Sequence, residues 1–469
     1  MVNLLRGFLF TYIMKNYFFA VFLSVITCFG YTQNEDSLII RKIFTEALTN
    51  YTSYNKLSFL CKEIGGRIGG APQSIEAVYW AKKTLAEYGA DTVYLQDLKV
   101  RNWKRGEKET CIVKTSLAPE KNLSVCALGG SVGTGKKGIS AKVVEVKNFD
   151  ELKLLGKDKI EGKIVFFNRA ADPSTYSTFP AYGGAANQRV HGAAYAARYG
   201  AVAAISRSLT LAYHDYPHTG IMYYNDSIKK IPAFAISTIS ADLLSEFLKN
   251  DTALTIFLKS GCFENEDTTS YNVIGELKGS EHPEEIIVVS AHIDAWDNGE
   301  GAHDDGAGVV QAMEVLRIFK SLGIKLKRTL RVVHFMDEEM AQRGGRKYAS
   351  VVEEKNEKHI AAIESDCGGF TPQGFCFENG ANIKGLIEKW KPLLIEYGLW
   401  LFIEGHSAVD IGIMKNLKFP LFGLMTDSQR YFDHQHAPTD VFEAVNKREL
   451  QLGAASMAAL VYLLDKYAL

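Results

Sequence analysis

Between Glu285 and Glu339 the chain carries three pairs of side chains that could bind a metal ion. His292 and Asp294 follow the apolar run EIIVVSA. Asp304 and Asp305 sit in the loop NGEGAHDDGAG. Glu338 and Glu339 follow a second apolar run, TLRVVHFM. Further on come Asp366, after IAAIES, and then His434, His436 and Asp440 beyond PLFGLM. Imidazole and carboxylate without thiolate suit zinc, with manganese or cobalt as looser fits. The carboxylates outnumber what one zinc needs. Two cations ~3.5–4 Å apart repel each other, and a carboxylate shared between them offsets that repulsion. The chemistry such a set supports is metal-assisted hydrolysis. Each pair has a plainer reading when taken alone: Asp-Asp suits the start of a helix, and Glu-Glu is ordinary surface. What singles them out is their recurrence at the ends of successive apolar strands.

Those strands are legible from pattern. Glu285 to Ala291, Thr329 to Met336, Ile360 to Ser365 and Pro420 to Met425 are short apolar runs of strand length. In open α/β sheets, ligands bind beyond the carboxyl ends of the strands, which is where these residues fall. The helix after Asp305 carries Val309, Ala312, Met313 and Leu316 at i, i+3, i+4 and i+7, with Gly323 at the C′ position. Leu450 to Leu464 predicts a final apolar helix. Upstream, residues 37–60 and Ser74 to Gly89 predict helices, and Asp91 to Val100 and Ser270 to Leu277 predict strands. The glycines of GGRIGG, Gly65 to Gly70, suit a tight loop, but their spacing is not that of a nucleotide phosphate loop. From 118 to 262 the character shifts to short strands (Ala141 to Val146, Lys163 to Phe167, Ala201 to Ser206, Ile231 to Ile236) and helices (Gly192 to Gly200, Ala241 to Lys249). That stretch shows no catalytic cluster; His191, His214 and His218 read as loop histidines. Strands alternating with helices predict a mixed α/β sheet covered on both faces.

Bulk properties narrow the class. The 469 residues suit more than one domain. With 47% apolar and 23% charged residues and a formal net charge of -1, composition is that of a globular protein. Nothing in it points to a nucleic-acid surface. Lys15, the apolar run Tyr17 to Tyr31 and a polar exit predict a secretory signal over 1–33. That run is shorter than the roughly 20 residues of a membrane span, so no stable span is expected after cleavage. Met14 is an alternative start, and Cys28 an alternative lipidation site. The predicted location is therefore extracellular or periplasmic. The cysteines after the signal form no CxxC pair.

Taken together, AHIDAWDNGEGAHDDGAG, FMDEE, ESD and YFDHQHAPTD resemble the co-catalytic di-zinc aminopeptidase family, and within it the branch of plasma glutamate carboxypeptidase (carboxypeptidase Q). HIDAWD, GGRIGG and WKRGEKE are similar to features of that branch. The resemblance implies a zinc exopeptidase fold: a mixed sheet of the eight-stranded type flanked by helices. The peptidase domain would span 34–117 plus 263–469, with 118–262 as an inserted protease-associated-like domain. It also implies two zinc ions. His292 and Asp366 would bind one and Glu339 and His436 the other; Asp304 would bridge them, and Asp305 would follow it in an unusual peptide. Asp294 would orient His292. Glu338 would be the general base, taking a proton from a water shared by the two cations. Tyr431, His434, His406 and Asp410 are candidate substrate contacts. Ala341, where the family often has Gly, and Ala437-Pro438 after His436 depart from the pattern without removing a ligand. The expected activity is hydrolysis of dipeptides or short peptides, with a homodimer implied by the branch alone. Aminopeptidase action is the near alternative. A single-zinc glutaminyl cyclase-type acyltransferase and a receptor-like module that has lost its ligands are the distant ones.

Overall fold

The computed structural model describes residues 35–467; the expected signal segment 1–33 lies outside them. Two eight-stranded sheets organise these residues. The first contains, in chain order, β1 (Thr92–Lys104), β2 (Phe263–Leu277), β3 (His282–His292), β4 (Arg328–Phe335), β5 (Lys358–Glu364), β6 (Pro372–Glu378), β7 (Leu401–Glu404) and β8 (Leu421–Thr426). Its spatial order is β1-β2-β4-β3-β5-β8-β6-β7. The centre, β4-β3-β5-β8, is parallel. β1 and β2 add an antiparallel pair at one side, and β6 runs antiparallel to β8 at the other. The sheet is therefore mixed, as expected.

The centre is parallel because each of its strands returns through a helix. β3 and β4 are joined through Ala307–Leu322, which packs beside the C-terminal helix Lys447–Tyr467. Both helices are buried over most of their surface, and every residue of the strand Arg328–Phe335 is buried. Buried parallel strands read as continuous apolar runs, which is why β3, β4, β5 and β8 were legible. β6 and β7 were not. β6 begins at a proline and contains Gly374, whose φ of 149 excludes most side chains. β7 is a four-residue edge strand whose last two residues are exposed.

The second sheet is drawn from residues 110–259, starting with Thr110–Lys114. Its middle strands, Ile139–Val146, Ile164–Phe167, Ala203–Arg207 and Ala233–Ile236, are mutually parallel. The helix expected over Gly192 to Gly200 is the end of a longer one, Thr178–Arg198. The two sheets are not separate bodies. Trp296, which follows β3, is buried in the second sheet's core beside Trp103 and Phe234, with its ring against Gly129. Of the six cysteines described, five are buried and Cys367 is half-buried; all are thiols. Among the described residues, no helix is long and apolar enough to cross a membrane.

Candidate active site

The carboxyl ends of β3, β4, β5 and β8 point to one place. His292 is the last residue of β3. Glu338 and Glu339 open a short turn of helix just past β4, after Asp337 in a left-handed conformation. Asp366 follows β5, and His436 lies in the loop beyond β8. Asp304 and Asp305, joined by a cis peptide bond, reach the same point from the loop ahead of Ala307–Leu322.

Asp304 is the centre of the arrangement. Its Oδ1 lies 3.2 Å from His292 Nε2, and its Oδ2 lies 3.1 Å from His436 Nε2. His292 Nε2 is also 3.4 Å from Asp366 Oδ1. His436 Nε2 is also 3.1 Å from Glu339 Oε2. Two triads result, His292–Asp304–Asp366 and Asp304–Glu339–His436, each with ligand atoms within 4.8 Å of one another. The Glu338 carboxylate stands 4.0 Å from His292 Nε2, farther than either carboxylate of that triad. A third acidic group, His282–Glu284–Glu285, lies far from these strand ends. Its Glu285 is already neutralised by Arg328 and Lys358.

The electrostatics is that of a cavity too acidic to stand alone. Burial, with Asp366 and Glu339 close by, pushes the Glu338 carboxyl well above its usual range. Burial and Asp304 push Glu339 up to about 7. Asp304 moves the other way: burial would raise it, but hydrogen bonds from His292 and His436 outweigh burial and hold it low. Glu339 Oε1 is buried with no hydrogen-bond partner among the described residues. Carboxylates crowded this closely, with two imidazoles and unused lone pairs between them, fit divalent cations.

Supporting residues fix the loops that carry these side chains. Asp294 accepts the N–H of Glu338 at 3.1 Å and of Glu339 at 3.3 Å, so it ties the end of β3 to the turn after β4. His292 Nδ1 lies 3.0 Å from the Asp294 main-chain oxygen and 3.9 Å from its carboxylate. Asp305 accepts the Gly308 N–H at 3.0 Å and the His292 N–H at 3.3 Å. The first of these caps the helix start. Asp440 accepts the N–H groups of His303 at 2.7 Å and Asp304 at 3.1 Å. Burial raises its carboxyl to about 7.

Sequence reasoning missed Arg67 of GGRIGG. Fully buried, it donates to the carbonyls of Ile293, Glu300, Gly301 and Gly65 at 2.7–3.2 Å. It thereby fastens both ends of the loop between His292 and Asp304. The available signal was a cation inside a glycine loop, where close backbone approach is possible.

The four candidate substrate contacts are spread out. Tyr431 is buried, and the charges of Asp304 and Asp366 add to burial in raising its hydroxyl. His434 is half-buried; its Nδ1 meets the Thr439 carbonyl at 3.0 Å, and its ring stacks on His303. Asp410 is buried with neither carboxylate oxygen hydrogen-bonded, close to Glu364, whose carboxylate caps the Val409–Gly412 helix. His406 is exposed in the loop after β7.

This geometry agrees with what the chain resembles. The profile of Peptidase family M28 matches residues 272–461. Carboxypeptidase Q of Bos taurus is 31% identical over 410 residues, covering 87% of this chain and 84% of the relative. Carboxypeptidase Q of Xenopus laevis is 33% identical over 411 residues, covering 87% and 85%. The chain belongs to peptidase family M28. Among M28 structures, a peptidase M28 precursor from Shewanella amazonensis superposes with a TM-score of 0.88 at 31% identity, covering 93% of this chain and 98% of that one. A zinc aminopeptidase from Bacillus subtilis shares the fold, with a TM-score of 0.63 at 20% identity over 87% of this chain and 94% of that one. As an M28 peptidase this protein is a metallopeptidase, and its fold is the mixed sheet of the zinc exopeptidases.

Proposed function

We propose that the protein hydrolyses dipeptides or short peptides as an exopeptidase of the carboxypeptidase Q kind, with Glu338 as general base. The reading rests on one observation: the oxygens of Asp304 are divided between two triads, while Glu338 stands 4.0 Å from His292 Nε2 and belongs to neither. His292, Asp304 and Asp366 would hold one zinc ion; Asp304, Glu339 and His436 would hold the other. Such cations supply Lewis acidity to a carbonyl and acidify water. Glu338 then does what a ligand cannot. It takes the proton of the attacking water and returns it to the leaving amine, work worth ~10²–10⁴-fold. Its desolvated pocket favours the protonated form, which suits the second half of that cycle. Asp294 holds Glu338 and Glu339 in place through their N–H groups, so base and ligand keep separate positions.

The same reading takes 1–33 as an export signal, 118–262 as a protease-associated-like insert, and the secreted protein as acting on peptides, with a homodimer as its assembly. Aminopeptidase action would use the same ligands and differ only in the terminus recognised. The test is to assay N-blocked and C-blocked dipeptides side by side and measure zinc on the same sample. Cleavage of the N-blocked but not the C-blocked substrate, with two zinc ions per chain, is expected. Cleavage of only the C-blocked substrate would make it an aminopeptidase. One zinc per chain with no hydrolysis would return the acyltransferase.

A further inference from the structure

His214 and His218 lie in the long connection between the strands Ala203–Arg207 and Ala233–Ile236. Their Nε2 atoms are 3.4 Å apart. The ring planes are parallel to within 1°, but the centroids are 5.2 Å apart, so the closest approach is between the Nε2 edges. The tautomer of His218 is fixed. Its Nδ1 meets the Gln435 carbonyl at 2.8 Å and carries its hydrogen there, which leaves Nε2 a bare lone pair. Burial and the neighbouring His214 lower the His218 pKa to about 3, so that lone pair stays free of a second proton.

The pair is loosely satisfied as it stands. The Nε2–Nε2 contact and the contact from the Tyr216 N–H to His214 Nδ1 are both 3.4 Å, longer than the roughly 2.7–3.2 Å of a sound N–H hydrogen bond. The spacing fits a cation better. Two Zn–N bonds of ~2.0–2.1 Å at a tetrahedral angle place their nitrogens ~3.3–3.4 Å apart, with the ion about 1 Å off the line between them. On binding, the hydrogen of His214 Nε2 moves to Nδ1, and the Tyr216 contact is given up.

The surroundings suit an ion arriving from solvent. His214 is half-buried, and the flanking Tyr213 and Tyr216 are 70% and 48% exposed. Asp433 is half-buried, within electrostatic reach of His214, and its Oδ1 holds Thr210 Oγ1 loosely at 3.5 Å. It supplies the negative charge that two neutral rings lack. Asp215 is committed elsewhere, to the hydroxyls of Ser237 and Ser240.

We propose that His214 and His218 bind a further zinc ion through their Nε2 atoms, with Asp433 and water on its remaining side. The site is separate from the two triads and does not depend on the peptidase reading. With two neutral ligands it attracts a dication less than the carboxylate-rich triads do, so it fills last. Because His218 holds the Gln435 carbonyl, an ion here ties the second-sheet region to the residue before His436.

The experiment raises free zinc over the zinc-loaded full chain and counts bound zinc by equilibrium dialysis and elemental analysis. The proteins are wild type, His214→Ala, His218→Asn and His191→Ala. Wild type should take up one zinc ion per chain beyond those held at the start. His214→Ala should bind that ion at least tenfold more weakly and keep the tightly held zinc. His218→Asn retains an N–H for the Gln435 carbonyl while removing Nε2, and should lose the same ion. His191 is exposed on the helix Thr178–Arg198; His191→Ala should bind as wild type does. A wild type that takes up no further zinc at millimolar free zinc overturns the proposal. So does a further ion that persists in His214→Ala, or one that His191→Ala loses as well. The readout is the increment over tightly held zinc, so it stands whether or not hydrolysis is found.

Discussion

The two triads that share Asp304 are supported differently. The His292–Asp366 side belongs to the sheet. His292 ends β3, Asp366 follows β5, and these strands are adjacent, parallel and buried. The His436 side depends on a loop. His436 adopts a left-handed φ of 60, a conformation costing on the order of 1–3 kcal/mol for a non-glycine residue. Its carbonyl is held by the Thr219 N–H at 2.9 Å and by Asn298 at 2.8 Å, and the neighbouring Gln435 carbonyl meets His218 Nδ1 at 2.8 Å. Upstream, Thr178 donates to the Ser428 carbonyl, and Phe179 and Tyr182 stack on Tyr431 and Phe432. Half of the site is fixed by strand pairing. Asn298 apart, the other half is fixed by residues more than two hundred positions away, in the second sheet's region.

The largest effect tests what the halves have in common. Glu338→Gln should lower kcat ~10²–10⁴-fold while the zinc content measured by elemental analysis stays at the wild-type value. Retention of more than about a tenth of the rate would take the base role from Glu338. Next comes the asymmetry. Asp366→Ala and His436→Ala should each cost one cation, but only the second half should respond to the distant segment. Gly220→Ala places a side chain against His436 and Arg189 at a φ of 134. It should weaken one step of a two-step cobalt titration ~10–100-fold and leave the other intact; equal weakening of both steps would erase the distinction drawn here.

The smallest effect concerns the shared scaffold. His334 in β4 is fully buried, neither ring nitrogen has a partner among the described residues, and burial alone lowers its pKa to about 3. A lowered imidazole pKa means the unfolded chain binds the proton first. His334 therefore destabilises the fold as pH falls from its ordinary value near 6.5 towards about 3. At pH 5 the penalty is about 2 kcal/mol. His334→Leu should lose less Tm than the wild type between pH 7 and pH 5; an equal loss would place the acid sensitivity elsewhere.

What the sequence revealed follows the same division. His292, Asp304, Glu338–Glu339 and Asp366 stand at the ends of apolar strands, so pattern and residue type pointed to them together. β6 and β7 escaped because a proline start, a glycine kink and a short exposed edge leave little periodicity. The partners of His436 escaped for another reason. Thr219 and Gly220 acquire meaning only once the second sheet folds against the loop after β8, and no local pattern encodes a contact at that separation. Arg67 is intermediate: its glycine setting is visible, but the carbonyls it binds at Ile293, Glu300 and Gly301 are not.

Arg67 also bears on how small this enzyme can be made. An excised fragment matching the family profile, 272–461, would retain every proposed ligand and the proposed base. It would lack the guanidinium that pins the carbonyls beneath the hairpin of backbone leading into Asp304, and the Thr219 N–H that shares with Asn298 in holding the His436 carbonyl. Four charge-assisted hydrogen bonds at ~1.5–3 kcal/mol apiece are comparable to the whole margin by which a domain stays folded. A minimal catalyst cut along that boundary would keep the right atoms but lose the means of holding them in position.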